Sequence, residues 1–279
     1  LKQAGYKYVP GQNKIQIGGK TYKFHLSRFI EGTIKTITIK RNKLGELFLF
    51  FSCLIEDANV ETKDVAMTGK QAGFDFGLKT FLTGSDGKEH QGLQAFKKAL
   101  RKVRKANKAL SSKEKGSKSW EKARLHLARV HEDVVHLREE FQWKLARKLI
   151  KSYDIMYFET LDFEEMKARW GRKLSDLAPA SFFLILKYLC LKFGKTFKQI
   201  SRWFPSTKRC HLCLFKNDSL TLRDRVWTCP SCQAVHRRDF NAAKNIEMEG
   251  VGTSTLNGDV VRRKLKASAF IADVRIPRL

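Results

Sequence analysis

The sequence lacks a long hydrophobic run and any recognisable export or lipid-attachment signal. Its longest apolar stretch, residues 181–191, is interrupted by Lys187 and is too short to span a bilayer. No signal peptide or isolated amphipathic helix stands out. We therefore expect a soluble, cytoplasmic protein with no membrane partner. The first residue is Leu1 and not Met, which suggests that the chain is part of a longer one.

Acidic residues are scarce. The 279 residues include 28 Asp and Glu against 55 Lys and Arg, which gives a formal net charge of +27. Residues 97–129 alone contain thirteen Lys or Arg and two Glu. Because neutralising phosphates releases counterions, this imbalance favours a nucleic acid as the partner. Charge alone does not distinguish a ribosomal or chromatin-type binder from an enzyme, and many charge runs are only solvated helix faces.

Cysteine is also infrequent, with six residues in the whole chain. Two of them, Cys53 and Cys190, lie in apolar runs and are expected in the core. The other four form two C-x2-C pairs separated by fifteen residues, namely Cys210, Cys213, Cys229 and Cys232. Two such turns supply four thiolates at tetrahedral geometry, so the spacing predicts a structural zinc site with no open position for substrate. Redox-active or unrelated pairs are the alternative. This number and placement of cysteines fits a protein of a reducing compartment.

The segment after the last cysteine carries a second signal. Residues 238–245 read RDFNAAKN and open a predicted helix that ends near residue 249. A lone Asp at a helix start is usually a cap. The join of a zinc ribbon to this segment, however, resembles the end of the RuvC domain in TnpB proteins, which are insertion-sequence nucleases related to type V CRISPR effectors. In that family the Asp at the position of Asp239 is a catalytic metal ligand.

Two more acids match the family's motifs. Asp75 lies in the apolar segment GFDFGLKTF, where a buried carboxylate is costly unless it binds a cation or is hydrogen-bonded. An aspartate such as Asp75, taken alone, is more often a turn or strand-edge residue than a metal ligand. Glu159 ends the apolar segment of residues 154–159, where α/β enzymes often place site residues. The resemblance implies that Asp75, Glu159 and Asp239 form one catalytic triad.

The chain departs from the family at several positions. Thr160 follows Glu159 where the family usually has Asp, and Arg237 stands where Asp is common. Leu214 and Gln233 replace glycines that often follow each C-x2-C pair, which predicts strain in the two turns. None of these changes removes a catalytic carboxylate. Asn241 is a candidate for orienting Asp239 or the substrate.

The predicted fold is α/β. It consists of a ribonuclease-H-like (RuvC) nuclease core with an inserted helical hairpin and zinc ribbon, preceded by a partial antiparallel β-barrel (wedge) unit. A β-hairpin about Gly18-Gly19 and strands over residues 33–40 and 47–55 indicate the β unit. We expect residues 163–177 to form a mobile lid and residues 180–193 an apolar helix. The predicted parts are a β unit (1–62), a discontinuous nuclease domain (63–249, with the hairpin at 92–152 and the ribbon at 205–235) and a disordered tail (250–279).

The resemblance implies RNA-guided cleavage of a DNA target by two-metal hydrolysis. Three clustered carboxylates repel one another unless hard cations lie among them, and their oxygens suit Mg2+ or Mn2+. Zn2+ would be structural, and a guide RNA and a DNA target would be the partners. Two alternatives remain. One is a non-cleaving zinc-ribbon nucleic-acid-binding regulator or a decayed fragment of such a nuclease, and the other is a generic zinc-ribbon RNA binder. The sequence has no tyrosine or serine recombinase motif, so movement of an insertion sequence that encodes this protein would need another enzyme.

Overall fold

A computed structural model describes the chain as two compact units. The first comprises residues 1–60, 101–132 and 261–279, and the second comprises residues 61–100 and 133–260. The residues described within them are 5–9, 11–26, 30, 32–54, 65–221, 223–256 and 274–276.

In chain order the described elements are β1 Lys7–Val9, β2 Lys14–Ile17, β3 Lys20–Lys23, β4 Thr33–Arg41, β5 Leu47–Leu54, β6 Gln71–Phe76, β7 Thr80–Gly84, β8 Glu89–Gln91, α1 Ala95–Ser111, α2 Lys118–Ser152, β9 Ile155–Glu159, α3 Phe163–Leu177, α4 Pro179–Lys192, β10 Thr196–Ile200, β11 Val226–Thr228, β12 Val235–Arg237, α5 Arg238–Leu256 and β13 Val274–Ile276.

The first unit is built on two antiparallel sheets, β1-β2-β3 and β13-β5-β4. The predicted hairpin is confirmed, because Gly18 and Gly19 join β2 to β3 with positive φ angles of 54° and 78°. The apolar run in β5 is only half-buried. Leu49, Phe51 and Cys53 face the core, and the residues between them remain partly exposed, as the two-residue period of a strand requires.

The second unit contains a five-stranded mixed sheet in the order β10-β9-β6-β7-β8. Strands β6, β7 and β8 form an antiparallel meander, and β9 and β10 run parallel to β6. The carboxyl ends of β6, β9 and β10 therefore meet at one edge of the sheet. Asp75 and Glu159 both lie near that edge, since Phe74 of β6 is in register with Phe158 of β9.

The predicted helical hairpin is present as α1 and α2. The end of α2 joins the main core, where Leu145, Leu149 and Ile150 are almost fully buried together with Phe182 and Leu186 of α4. The compact units divide the hairpin: residues 101–132 belong to the first unit and the two helix segments beside them to the second.

The segment expected to be a lid forms a helix, α3. Asp162 caps it by accepting a hydrogen bond from the amide of Glu165, and an irregular backbone at Trp170 breaks it (φ −131°, ψ 25°). The apolar helix α4 follows and ends before Gly194, whose φ is 65°. Within the described part of the chain, no single helix is long and apolar enough to cross a membrane; α3 and α4 together meet that test by length and composition alone, across a 55° bend.

Helix α5 lies directly on the sheet. Ala242, Ala243 and Ile246 on its inner face are fully buried. A Cβ atom at Gly73 of β6 would overlap the backbone of α5 at Ala243 and Glu247. Small residues on both surfaces thus allow the helix and strand backbones to approach closely.

The tail is more ordered than expected where it is described. Helix α5 continues to Leu256, seven residues beyond its predicted end, and β13 pairs with β5 through Val274, Arg275 and Ile276. The remainder of the predicted disordered tail lies outside the described residues.

A buried ion pair lies at the amino ends of the parallel strands. Lys195 Nζ is 2.6 Å from Asp154 Oδ1, and the side chains are 0% and 6% exposed. The amides of Thr68 and Gly69 also donate to this carboxylate. Burial alone would raise the pKa of Asp154, but the hydrogen bonds from Lys195 and the two amides lower it to about 2. The pair therefore ties the segment before β6 to β9 and β10.

We predict that Gly73→Ala destabilises the protein by about 1–3 kcal/mol, because the added methyl group meets backbone that cannot rotate away. Gly171→Ala is the matched control. Gly171 lies in α3, and no atom lies within 4 Å of the place that an added methyl group would occupy, so the change should be neutral or stabilising by up to about 1 kcal/mol. Urea unfolding measures both. Equal effects would contradict close packing at Gly73.

We also predict that Asp154→Asn destabilises the protein by about 3–5 kcal/mol at pH 7, since it leaves Lys195 buried without its partner charge. The pKa of Asp154 is lowered on folding, so its contribution is present above the unfolded value of 3.8 and is lost as pH falls towards 2. The difference in urea midpoint between wild type and variant should shrink from pH 7 to pH 3. A pH-independent difference would count against this assignment.

Candidate active site and metal centre

Asp75 and Glu159 lie near the carboxyl edge of the sheet, and Asp239 of α5 is near enough for its charge to act on Asp75. Burial raises the pKa of Asp75 well above its usual range, and the charges of Asp239 and then Glu159 raise it further. Arg238 and Arg225 act in the opposite direction. All three acids remain partly accessible to solvent. Among the described residues they do not form a group tight enough to surround a single ion.

Glu159 is held by a serine that the sequence had not singled out. The Ser206 hydroxyl donates to Glu159 Oε2 at 3.0 Å. Burial raises the pKa of Glu159, and this hydrogen bond opposes the shift. Ser206 is itself buried, and its carbonyl accepts a 2.8 Å hydrogen bond from Asn245 Nδ2 of α5. In the sequence, Ser206 lies in the segment FPSTKRC, residues 204–210, which leads into the first cysteine pair and resembles the family at this point without indicating a role for the serine.

Asp239 lies in the first turn of α5, where the helix dipole favours a negative charge. Its side chain is 27% exposed. Arg238 Nη2 lies 3.2 Å from one carboxylate oxygen and Arg225 Nη1 lies 3.5 Å from the other. The sequence analysis assigned no role to either arginine. Arg238 directly precedes Asp239, whereas Arg225 is brought to the helix start only by the folded ribbon.

The four predicted zinc ligands converge. The sulfur atoms of Cys210, Cys213, Cys229 and Cys232 all lie within 4.8 Å of one another. Cys210 Sγ is 3.7 Å from Cys232 Sγ, and Cys213 Sγ is 3.5 Å from Cys229 Sγ. Four thiolates at Zn–S distances of about 2.3 Å in a tetrahedron are separated by about 3.8 Å, so this ligand set fits a zinc ion.

The turns that carry these cysteines are strained as expected. Leu214 and Gln233 adopt left-handed φ angles of 67° and 58°. Their amides donate to the carbonyls of Cys210 and Cys229 at 3.0 and 2.9 Å, which closes each turn. A residue with a Cβ atom pays roughly 1–2 kcal/mol for this conformation relative to the right-handed one.

A buried histidine, His236, supports the ribbon from inside. Its Nε2 lies 3.1 Å from Cys210 Sγ, and its ring contacts those of Trp227 and His211. A ring N–H donated to a metal-binding thiolate orients that ligand and reduces its charge. His236 has no C-x2-C-type spacing, so the sequence alone did not reveal it.

Asn241 joins the ribbon to α5. Its Oδ1 accepts from the backbone amide of His211 and lies 3.0 Å from the ring Nδ1 of the same residue. Its Nδ2 donates to the carbonyl of Arg209 at 2.7 Å. The contacts of Asn241 are with the first cysteine turn, so any influence on Asp239 is exerted through the position of the helix.

A cavity lies on each side of the acids. The cavity on the Asp239 side has a volume of about 220 Å³, and its wall includes Lys79, Arg225, Arg237 and Arg238. The cavity on the Glu159 side has a volume of about 260 Å³, and its wall includes Trp170, Arg202 and Trp203. The first wall carries four cations against two carboxylates, whereas the second carries two arginines against three carboxylates and adds two tryptophan rings.

Comparison with known proteins gives two matching family profiles. Residues 52–169 match a profile described as "Probable transposase", and residues 180–246 match one described as "Cas12f1-like, TNB domain". A "Putative RNA-guided DNA endonuclease" of Streptomyces pristinaespiralis is 33% identical over 235 residues, which cover 84% of this chain and 57% of that protein. A protein of Mycobacterium tuberculosis with the same description, MT2953, is 29% identical over 76% of this chain and 48% of its own length.

These matches define a class of transposase-like proteins. Within it, the chain resembles the TnpB family, and the comparisons confirm the resemblance that its motifs indicated. It spans about half the length of the curated relatives described above. A Cas12f1–sgRNA–target DNA complex aligns with a TM-score of 0.46 and 15% identity, covering 76% of this chain and 55% of that one.

We predict that Leu214→Gly stabilises the zinc-loaded protein by up to about 1 kcal/mol, because glycine adopts a positive φ without steric cost. Leu212→Gly is the control. Leu212 is an exposed leucine in the same turn and has no positive φ, so glycine there should destabilise by roughly 0.4–1 kcal/mol through greater unfolded-state entropy. Thermal unfolding at saturating zinc measures both, and a loss of stability in Leu214→Gly would contradict the strain.

Proposed function

We propose that this protein is an RNA-guided DNA endonuclease of a mobile element, and that it hydrolyses phosphodiester bonds with Asp75, Glu159 and Asp239. The observation that carries the proposal is the convergence of these acids. They come from three segments about 80 residues apart, and the sheet and α5 bring their charges together at one edge.

The strand order supports a ribonuclease-H-like core. An antiparallel meander of three strands is followed by two strands added parallel to the first, on its other side. A five-stranded sheet is what the family resemblance implies. In such a core, Asp75 on the first strand and Glu159 at the end of the fourth would correspond to the family's first two acids.

The donor set fits hard divalent cations. Carboxylate oxygens with solvent-accessible positions suit Mg2+ or Mn2+, and mutual repulsion among the acids favours cation binding. Two such ions, held by Asp75 together with Glu159 and Asp239, would activate a water nucleophile and stabilise the leaving 3′ oxygen. Ser206 would hold the Glu159 carboxylate in place, and Arg225 and Arg238 would restrain Asp239.

The cavity beside Asp239 suits the phosphate backbone of the substrate. Lys79, Arg225, Arg237 and Arg238 line it, against the carboxylates of Glu89 and Asp239. This excess of cations would bind phosphate oxygens without regard to base sequence. The cation excess of the whole chain, +27, fits a protein that binds a guide RNA as well as DNA.

The zinc ribbon would act as a structural clamp. Asn241 and Asn245 of α5 hold the carbonyls and amides around the first cysteine turn, and the second turn leads through β12 into α5. Zinc binding in small modules contributes on the order of 10 kcal/mol. Loss of the ion would therefore loosen the start of the helix that carries Asp239.

The test is cleavage of labelled single- and double-stranded DNA by the protein with its co-purifying RNA and Mg2+. We expect Asp75→Asn to lower the rate by well over a hundredfold, because it removes a metal ligand. Ser206→Ala should cost about 10–100-fold, the range for residues that support a ligand.

Asp218→Asn is the matched control, since Asp218 forms an exposed ion pair with Lys216 and should not matter for cleavage. Cleavage that persists in Asp75→Asn or in EDTA would overturn the catalytic assignment. Binding of DNA without cleavage by the wild type would instead identify a regulator that no longer cuts.

A further inference from the structure

Trp203 is exposed to an extent that the fold does not require. Its side chain is 78% exposed, the largest value among the bulky apolar residues that the structure describes. It follows β10 on the segment that leads into the ribbon, and its backbone amide donates to the Ser201 hydroxyl at 3.3 Å. An aromatic ring left in water contributes little to folding and has a large apolar face available to a ligand.

The ring of Trp203 has a cation beside it. The Arg202 guanidinium lies 4.4 Å from the indole centroid, within the range of a cation–π interaction. Arg202 Nη1 is in turn 2.9 Å from Asp162 Oδ2, and Asp162 caps α3. The orientation of Trp203 is therefore linked to a helix terminus.

Trp203 lines the cavity on the Glu159 side of the acids, together with Trp170 at the break in α3. At about 260 Å³ the cavity is below the usual range of small-molecule pockets, roughly 300–1,000 Å³, and suits a single planar ring. Glu159 lines the same cavity. A strand with a phosphate at the acids would therefore have a neighbouring nucleotide within reach of Trp203.

The charges of this cavity favour a base over a phosphate. Arg169 is paired with Glu165 at 2.8 Å and Arg202 with Asp162, and Glu159 adds a further negative charge. The wall thus has no excess of cations, in contrast to the cavity beside Asp239. An uncharged aromatic ring meets no electrostatic penalty here, whereas a phosphate would.

We propose that Trp203, supported by Arg202 and with Trp170 in the same cavity, stacks on an unpaired base of the DNA strand that is cut. The proposal rests on the proposed function and adds a positioning residue to it. Only a single strand can offer the face of a base to a side chain, because bases in a duplex are stacked on one another. The substrate at this site is therefore single-stranded DNA.

The experiment measures binding of labelled oligothymidylate and of an otherwise identical abasic oligomer by fluorescence anisotropy, in the Asp75→Asn background with the co-purifying RNA. We expect Trp203→Ala to weaken binding of oligothymidylate about 5- to 100-fold, as for loss of one base–aromatic stack. Trp203→Phe should retain most of the affinity. The abasic oligomer should bind the parent and Trp203→Ala equally.

Leu184→Ala is the control, since it removes a 70% exposed apolar side chain from α4 and should change neither affinity. The proposal is overturned if Trp203→Ala binds both oligomers as the parent does, or if it loses equal affinity for both. Oligouridylate is measured in the same way, and a loss of affinity in Trp203→Ala for oligouridylate but not for oligothymidylate would overturn the assignment to DNA.

The proposed nuclease activity is tested separately. If Trp203→Ala shows the expected loss but the wild-type protein does not cut DNA, the nuclease activity is contradicted and the stacking site stands.

Discussion

The close approach of α5 to the sheet is the constraint on which the rest of the second unit depends. Gly73 leaves no room for a side chain between β6 and the helix, and Gly250 is in the same situation against the ring of Tyr157 in β9. These two contacts, one at Ala243 and Glu247 and the other about a turn further along at Gly250, restrict how the helix lies on the sheet. Because Asp239 lies in the first turn, its position relative to Asp75 follows from backbone packing and not from the flexibility of a loop.

The two ends of the parallel strands handle charge in opposite ways. At the amino end, Asp154 and Lys195 are buried as a pair, with amide donors completing the hydrogen bonds of the carboxylate. At the carboxyl end, three acids are brought together against partial compensation by Arg225 and Arg238. The first arrangement pairs both charges within the protein, so that removal of either partner alone is destabilising. The second arrangement leaves repulsion among the carboxylates that a bound cation can relieve, and such uncompensated charge is typical of a functional site.

Local patterns predicted local structure well, and failed where tertiary contacts decide. The Gly18-Gly19 hairpin, the α1–α2 hairpin and the cysteine turns follow from short-range signals, and even the strain at Leu214 and Gln233 could be expected from glycines that are absent. Residues 163–177 were expected to be a mobile lid because of their polar, basic composition, and the helix α3 that they form was not predicted. Ser206, His236 and Arg225 gain their roles only through contacts with residues distant in sequence. The convergence of the three acids likewise depended on the resemblance, since no spacing predicts a sheet order.

The order of the elements, with α5 after every strand of the five-stranded sheet, has a consequence for biosynthesis. A ribosome releases Asp75 and Glu159 long before Asp239, and the groove that Gly73 provides on the sheet stays empty until α5 emerges. A nascent chain therefore carries two acids without the third, on a sheet whose apolar face is still uncovered. The three acids come together only after the ribbon and α5 have been made. A chain whose translation stops before α5 therefore lacks a complete acidic site.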